Sequence, residues 1–300
     1  MRVSVIIVTW NAEKFIRDCL ESVFLQQIDE IEVIIVDNGS TDSTLNILED
    51  YLDRVKLIRN KINSGFCAAN NQAFAKATGK FIFTLNSDIV LEPNYISQLM
   101  DCLASNPLVG MVQGKFLRMD KQTIDCLGLK LGLFFRLFNI AEGKKDSARF
   151  SGIFKIFGPC AAAALYRKKL ISDITYEEEV FDPKFFFLVE DFDLAWRARN
   201  KGWKAMCVAD AVCYHYRDSS AHKFGFRQYL TLRNRYYLLI KNLRLNLNSI
   251  FLIFISVLFY DLPRLFLIAL VNRPALKAFS EIRADYPQLL KKRYKGTINK

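Results

Sequence analysis

Hydrophobic residues enter this chain in short unbroken runs, separated by amphipathic stretches of helical spacing. Val3-Ser-Val-Ile-Ile-Val-Thr9 reads as a buried strand. Phe15, Ile16, Cys19, Leu20 and Val23 then recur at helical spacing, with Asn11 as a candidate cap. Residues 31–36 form a second strand, closed by the turn-rich Asp37-Asn-Gly-Ser-Thr-Asp42. A helix over 43–52, a strand over 55–58, a helix over 66–77 and a strand over 81–85 complete the series. Such alternation predicts an α/β fold with a doubly wound, mostly parallel sheet covered on both faces. Its ligand belongs at the strand C-termini, where Thr9, Asp37 and Asp88 fall.

Beyond residue 107 the pattern is mixed. Val109-Gly-Met-Val-Gln113 reads as a strand, 191–201 as a helix stopped by Gly202, and 203–212 as containing another strand. The last quarter differs in kind. Residues 1–215 carry 26 Lys+Arg against 27 Asp+Glu, whereas 216–300 carry 16 against 4, so the net +11 belongs to the tail. Residues 227–245 read as a basic helix, and 250–271 are very apolar but interrupted by Asp261, Pro263 and Arg264. The uninterrupted part, 250–260, falls short of the roughly 20 residues a spanning helix needs, which favours a helix lying in a membrane interface or a re-entrant hairpin. Lys291-Lys-Arg-Tyr-Lys295 adds positive charge for an anionic leaflet. On this basis we divide the chain into 1–225, an α/β catalytic domain, and 226–300, a helical membrane-associating extension.

Hydrophobic residues make up 51% of the chain, enough to fill a core. Seven scattered Cys without a Cys-x-x-Cys pair favour free thiols in a reducing compartment. No small-residue cleavage site follows the short apolar run 3–8, which argues for a cytoplasmic protein.

Four segments carry the chemistry: Val5-Ile-Ile-Val-Thr-Trp-Asn11, Val36-Asp-Asn-Gly-Ser-Thr-Asp42, Asn63-Ser-Gly-Phe-Cys-Ala-Ala-Asn-Asn71 and Leu85-Asn-Ser-Asp88. Together they resemble the signature of family 2 glycosyltransferases with the GT-A fold. Phe181-Asp-Pro-Lys-Phe-Phe-Phe-Leu-Val-Glu-Asp-Phe-Asp-Leu194 is similar to the acceptor-side motif of their rhamnosyltransferase-like branch. The resemblance covers residues 1–240 and implies an inverting, metal-dependent sugar transfer. A UDP- or dTDP-linked sugar would pass to a hydroxyl of a lipid-linked glycan in cell-surface polysaccharide synthesis, at the inner face of the cell membrane.

Residue by residue, the resemblance implies that Asp37 contacts the nucleotide base. A carboxylate there can accept the imide N–H of a pyrimidine, Gly39 and Ser40 leave room for the base, and Thr9 and Asn11 hold base and ribose. Asn63, Gly65 and Asn71 would reach sugar or phosphate. Asn86-Ser87-Asp88 stands where the family usually has Asp-x-Asp, so one carboxylate is replaced by an amide. Asp88 is the metal candidate, with His215 matching by position a histidine that reaches the same Mg²⁺ or Mn²⁺. Asp191 would be the general base and Glu190 would orient the acceptor. Against these stand ordinary structural roles: a turn carboxylate for Asp37, a helix cap for Asp42 and Asp193, core packing for Trp196 and Trp203, and a surface position for His222. Arg233-Asn234-Arg235 reads either as a phosphate clamp or as a solvated, lipid-facing stretch.

Other classes fit less well. A sugar nucleotidyltransferase needs a Gly-rich basic loop after the first strand, and Thr9-Trp-Asn-Ala-Glu-Lys lacks it. A dehydrogenase needs Gly-x-Gly-x-x-Gly there. A membrane-bound scaffold with a degenerate transferase fold would have no use for Asp37, Asp88 and Asp191. The apolar runs of the tail suit lipid better than nucleic acid.

Overall fold

The computed structural model describes residues 2–217, 224–244 and 246–295, so His222 lies outside the described residues. The strands described are β1 (Val3–Thr9), β2 (Ile31–Asp37), β3 (Val55–Arg59), β4 (Phe81–Asn86), β5 (Ile89–Leu91) and β6 (Val109–Arg118). They continue with β7 (Ile124–Cys126), β8 (Leu129–Leu131), β9 (Leu137–Asn139), β10 (Ile153–Ile156), β11 (Ala163–Arg167) and β12 (Lys204–His215). The main sheet runs β10-β12-β6-β11-β4-β1-β2-β3, with β5 added to β12 and β7 to β6. The segment β3-β2-β1-β4 is parallel, as is the pair β6-β12; β11 joins the two blocks antiparallel to both neighbours.

Helices α1 (Ile16–Phe24), α2 (Thr44–Glu49), α3 (Phe66–Lys76), α4 (Tyr95–Ser105), α5 (Lys168–Ile174) and α6 (Glu190–Asn200) cover the sheet. β1 shows why both faces are closed. Val3, Val5 and Ile7 pack with Ile16, Leu20 and Val23 of α1 and with Leu99 of α4. Ile6 points the other way, into a core shared with Ala69 and Ala73 of α3 and Leu194 and Ala198 of α6. Side chains alternate across a strand, so a strand buried on both faces is apolar almost throughout; the one buried hydroxyl near its start, Ser4, bonds to Glu32 of β2 and accepts from the Gly79 backbone.

The C-terminal helices are α7 (Phe224–Asn242), α8 (Leu247–Ser256), α9 (Leu262–Val271) and α10 (Ala278–Lys295). The division at 225/226 marks a change of composition; Tyr237 and Leu238 of α7 and Leu289 of α10 sit in the same core as α3 and α6. Much of the basic charge of the tail is also paired. Lys241 lies 2.8 Å from Asp182 and 3.0 Å from Asp193, Lys292 2.8 Å from Asp182, and Arg233 3.0 Å from Glu281.

The apolar stretch departs from the sequence expectation. Leu247–Val271 is one continuous helix of 25 residues, long and apolar enough to cross a membrane, and only 11% of its most apolar window is buried. The breaks foreseen at Asp261 and Pro263 do not occur. Asp261 is buried and takes a 2.9 Å hydrogen bond from Arg235 of α7, whose guanidinium also donates to Ser256 and to the Phe134 and Phe135 carbonyls. A wider π-type turn over Val257–Asp261 precedes Pro263 and relieves the clash its ring would make with the preceding turn. Single residues interrupted the pattern in the sequence, and the fold accommodates Asp261 and Pro263 in these ways.

Arg235→Ala leaves the Asp261 carboxylate buried without its cation. We expect a loss of about 3–5 kcal/mol of stability, read by denaturant unfolding in detergent, with most of it recovered in an Arg235→Met, Asp261→Leu double variant.

Candidate active site

The parallel register sets the C-terminal ends of β1, β2 and β4 side by side: Thr9 is level with Asp37, and Val8 with Asn86. Asp37 is buried and one of its oxygens accepts from the Ser40 backbone at 3.1 Å. Its other oxygen is buried without a partner, as are Thr9 Oγ1, Asn86 Oδ1 and Glu190 Oε2. An unpaired buried polar atom costs about 1–3 kcal/mol, so four around one sheet edge mark a place built for a ligand.

The turn after β2 is fixed by its own side chains. Asn11, at φ 52°, donates its backbone N–H to Ser40 Oγ at 2.9 Å, and its amide oxygen accepts from the Thr41 backbone at 2.8 Å. Gly39 sits at φ +80°, where a Cβ would lie 2.9 Å from the Ile62 backbone. Asn38 is the hub: its amide donates to Asn63 Oδ1 at 2.9 Å, while its oxygen accepts from Asn60 and Ser64. Asp42 accepts from the Thr44 backbone and hydroxyl, a role at the start of α2.

Beside this edge lies a cleft lined by Trp10, Asn38, Asn63, Gly65, Asn86, Asp88 and Phe186. Asp88 stands in the turn between β4 and β5, and β5 is paired to the end of β12, which carries His215. His215 Nε2 lies 3.2 Å from Asp88 Oδ2, and its Nδ1 2.8 Å from Asp125 Oδ2. Burial works against the imidazolium, yet the hydrogen bonds and charges of Asp125 and Asp88 hold the His215 pKa up at about 10. The free ring is therefore an imidazolium paired with both carboxylates, and a metal ion would bind His215 by displacing the Nε2 proton. Donors on adjacent corners of an octahedron with bonds of 2.0–2.1 Å lie about 3 Å apart, so Asp88 and His215 fit a small divalent cation whose other positions are open to phosphate and water. Asp125, which also binds Arg217, fixes the ring so that Nε2 faces Asp88.

The second acidic group opens α6. Glu190 is buried, and burial together with the Asp191 charge pushes its carboxyl well above the usual range. Burial also raises Asp191, to about 6, against hydrogen bonds from the Phe192 and Ala161 backbones. The buried Glu190 and the half-buried Asp191 beside it favour one proton between them, which leaves Glu190 neutral and Asp191 the ionised member at neutral pH. Ala162 of the same loop accepts the Asn86 N–H at 2.8 Å, tying the acid pair to the end of β4.

The sequence model of glycosyl transferase family 2 matches residues 4–175. The chain belongs to this family. The chain is 40% identical over 102 residues to a chondroitin synthase of Escherichia coli, spanning 33% of this chain and 15% of that protein. A Haemophilus influenzae glycosyltransferase is 30% identical over 152 residues, spanning 46% of this chain and 60% of its own. A UDP complex of S. aureus TarS 1-349 superposes with a TM-score of 0.61 at 18% identity, over 99% of this chain and 89% of that one. The sheet and its helices are thus of the GT-A type.

In this family 2 glycosyl transferase, Asn63, Gly65, Asn86 and Asp88 meet in the cleft, with Thr9, Asn11, Asp37, Gly39 and Ser40 along the adjoining strand edge. Asn71 is not brought there: its amide clamps Val180 and Phe181 through three hydrogen bonds. Asn70 bonds back to Phe66 within α3. Asp193 pairs with Arg197 and Lys241, and Trp196 and Trp203 pack against Phe157 and Gly110. Arg233-Asn234-Arg235 is neither solvated nor in the cleft; all three are buried and bonded to the protein. Trp10, Asn38 and Phe186 lie inside the recognised motifs without standing out there by residue type; Asp125, alone in its segment, carried no signal.

Gly65 sits at φ +88°, with a would-be Cβ 2.4 Å from the Phe186 ring. Gly65→Ala should cost about 1–3 kcal/mol through that conformation and contact alone, measurable by thermal unfolding, and should weaken nucleotide binding by displacing Phe186.

Proposed function

We propose that the protein transfers a sugar from a nucleotide-diphosphate sugar, UDP- or dTDP-linked, to a hydroxyl of a lipid-linked glycan with inversion at the anomeric carbon. What supports this reading is the buried Asp37 at the end of β2, the Asp88–His215 pair after β4, and the Glu190–Asp191 pair with its raised carboxyls, whose neighbouring loop is hydrogen-bonded to the end of β4. Structures of the same fold were solved with UDP-GlcNAc and with GDP-Man and Mn²⁺, which supports a nucleotide-sugar donor.

Asp37 receives the base and Thr9, Asn11, Gly39 and Ser40 the nucleoside; Asn63, Gly65 and Asn86 border the phosphates and sugar. Asn71 supports that wall through Phe181. Asp88 and His215 would hold Mg²⁺ or Mn²⁺, which would neutralise charge on the departing diphosphate. Asp191 takes the acceptor hydroxyl proton as that oxygen bonds to the anomeric carbon. The bond from that carbon to the diphosphate oxygen breaks on the opposite side. Neutral Glu190 orients the acceptor by donating its proton in a hydrogen bond.

The helix Leu247–Val271 places the enzyme on the membrane. Its exposed Phe251, Phe254, Phe259 and Phe266 face outward, while Asp261 is held to Arg235 of α7 and α10 returns to pack on α7, so the helix lies along the membrane surface with its free side in the interface. The cations of the tail that stay exposed, such as Arg227, Arg273 and Arg283, then face the cytoplasmic leaflet, where nucleotide sugars are available and thiols stay reduced.

Asp191→Asn should lower kcat by about 10²–10⁴-fold and leave nucleotide binding intact, measured by transfer assay and calorimetry. Since the base acts ionised, transfer should fall as pH drops through about 6 and level off above it. A variant that turns over at the wild-type rate, or a rate flat across that range, excludes Asp191 as the base.

A further inference from the structure

The segment that delivers the acid pair is strained, and one buried amide holds it. Phe186, Leu188 and Val189 all have positive φ, at 65°, 69° and 76°. Non-glycine residues rarely adopt this conformation, and a β-branched valine less than most. Three in four residues persist only where surrounding structure over-determines them. Val189 is the residue from which α6 starts, directly before Glu190 and Asp191.

The determinants come from two helices. The fully buried Asn234 of α7 donates its amide to the Phe185, Phe187 and Leu188 carbonyls at 2.9, 2.9 and 2.8 Å. Arg233 donates to the Lys184 carbonyl at 2.7 Å, and its Nε to Asn234 Oδ1 at 3.1 Å, which fixes which end of the amide faces the strap. The remaining carbonyl, of Phe186, accepts from the Cys67 backbone at the start of α3 at 3.0 Å. Five consecutive carbonyls are thus captured. The near end of the strap presses Phe186 against Gly65 in the cleft, and the far end aims the acid pair.

We propose that Asn234 is a positioning residue for the transfer reaction: it holds the strap 185–189 in its left-handed path and thereby sets where Glu190 and Asp191 stand relative to the nucleotide cleft. This rests on the function proposed above. The near end keeps its Cys67 bond and its Gly65 contact without Asn234, so donor binding and acid placement separate in the test.

Asn234→Ala should lower kcat about 10²-fold, the scale of a catalytic group displaced by 1 Å, while nucleotide affinity measured by calorimetry stays at the wild-type value. The acid limb of its pH–rate profile should move down toward the ordinary carboxylate range as the loosened strap admits water. Adding Val189→Gly, which removes the need to hold a strained valine, should restore part of the lost rate. Amides 187–190 should exchange hydrogen faster than in the wild type. Should Asn234→Ala fail to fold, Arg233→Lys tests the same clamp with a smaller loss and the same shift of the limb.

Wild-type turnover with an unmoved limb in either variant, or no recovery with Val189→Gly, overturns the proposal. If the wild type transfers no sugar at all, the proposed function fails, and hydrogen exchange still decides the clamp: unchanged exchange at 187–190 in Asn234→Ala refutes it.

Discussion

Lys241 is buried, and its ammonium lies 2.8 Å from Asp182 and 3.0 Å from Asp193, both of which are also buried. Removing any of these charges leaves another uncompensated in a medium that solvates it poorly. Their pairing joins four parts of the molecule that lie far apart in sequence. Asp182 precedes the strap, Asp193 lies in the first turn of α6, Lys241 belongs to α7, and Lys292 of α10 closes the group from the other side. The cations hold the Asp182 carboxyl well below the usual range, so the network stays ionised across the physiological range. Tail helices and acid pair are thereby parts of one packed body.

That constraint explains why the tail was the least legible part of the sequence. Charge counting took 226–300 for a separate basic module facing lipid. Composition cannot say that the partners of Arg233, Arg235, Lys241 and Lys292 are acids 26 to 113 residues away. Hydropathy likewise placed a break at Asp261, because the cancelling charge comes from another helix. The first hundred residues were readable because their determinants are local. Runs such as Val3–Thr9 can only be strands buried on both faces, and the turn chemistry of 37–42 marks the sheet edge.

The site divides in the same way. Asp37, Asp88 and the Glu190–Asp191 pair were visible because each is a carboxylate placed at the end or start of an element. Asn38 and Asp125 were not, since their roles depend on what they orient. Asp125 aims His215, and Asn38 locks the turn after β2 to the loop between β3 and α3. Asn71 and Asn234 show the converse. Both look like ligand-binding amides in the sequence, and both are occupied with backbone carbonyls or N–H groups that shape the walls of the site.

The central claim is that the β1–β2–β4 edge binds a nucleotide through a cation held at Asp88 and His215. Calorimetric titration of the wild type and of Asp88→Ala with UDP, dTDP and GDP, each with and without Mn²⁺, tests it most directly. The account predicts that one of these nucleotides binds the wild type only with Mn²⁺ and does not bind the variant. Absence of binding by folded wild type, or metal-independent binding unchanged in Asp88→Ala, would contradict it.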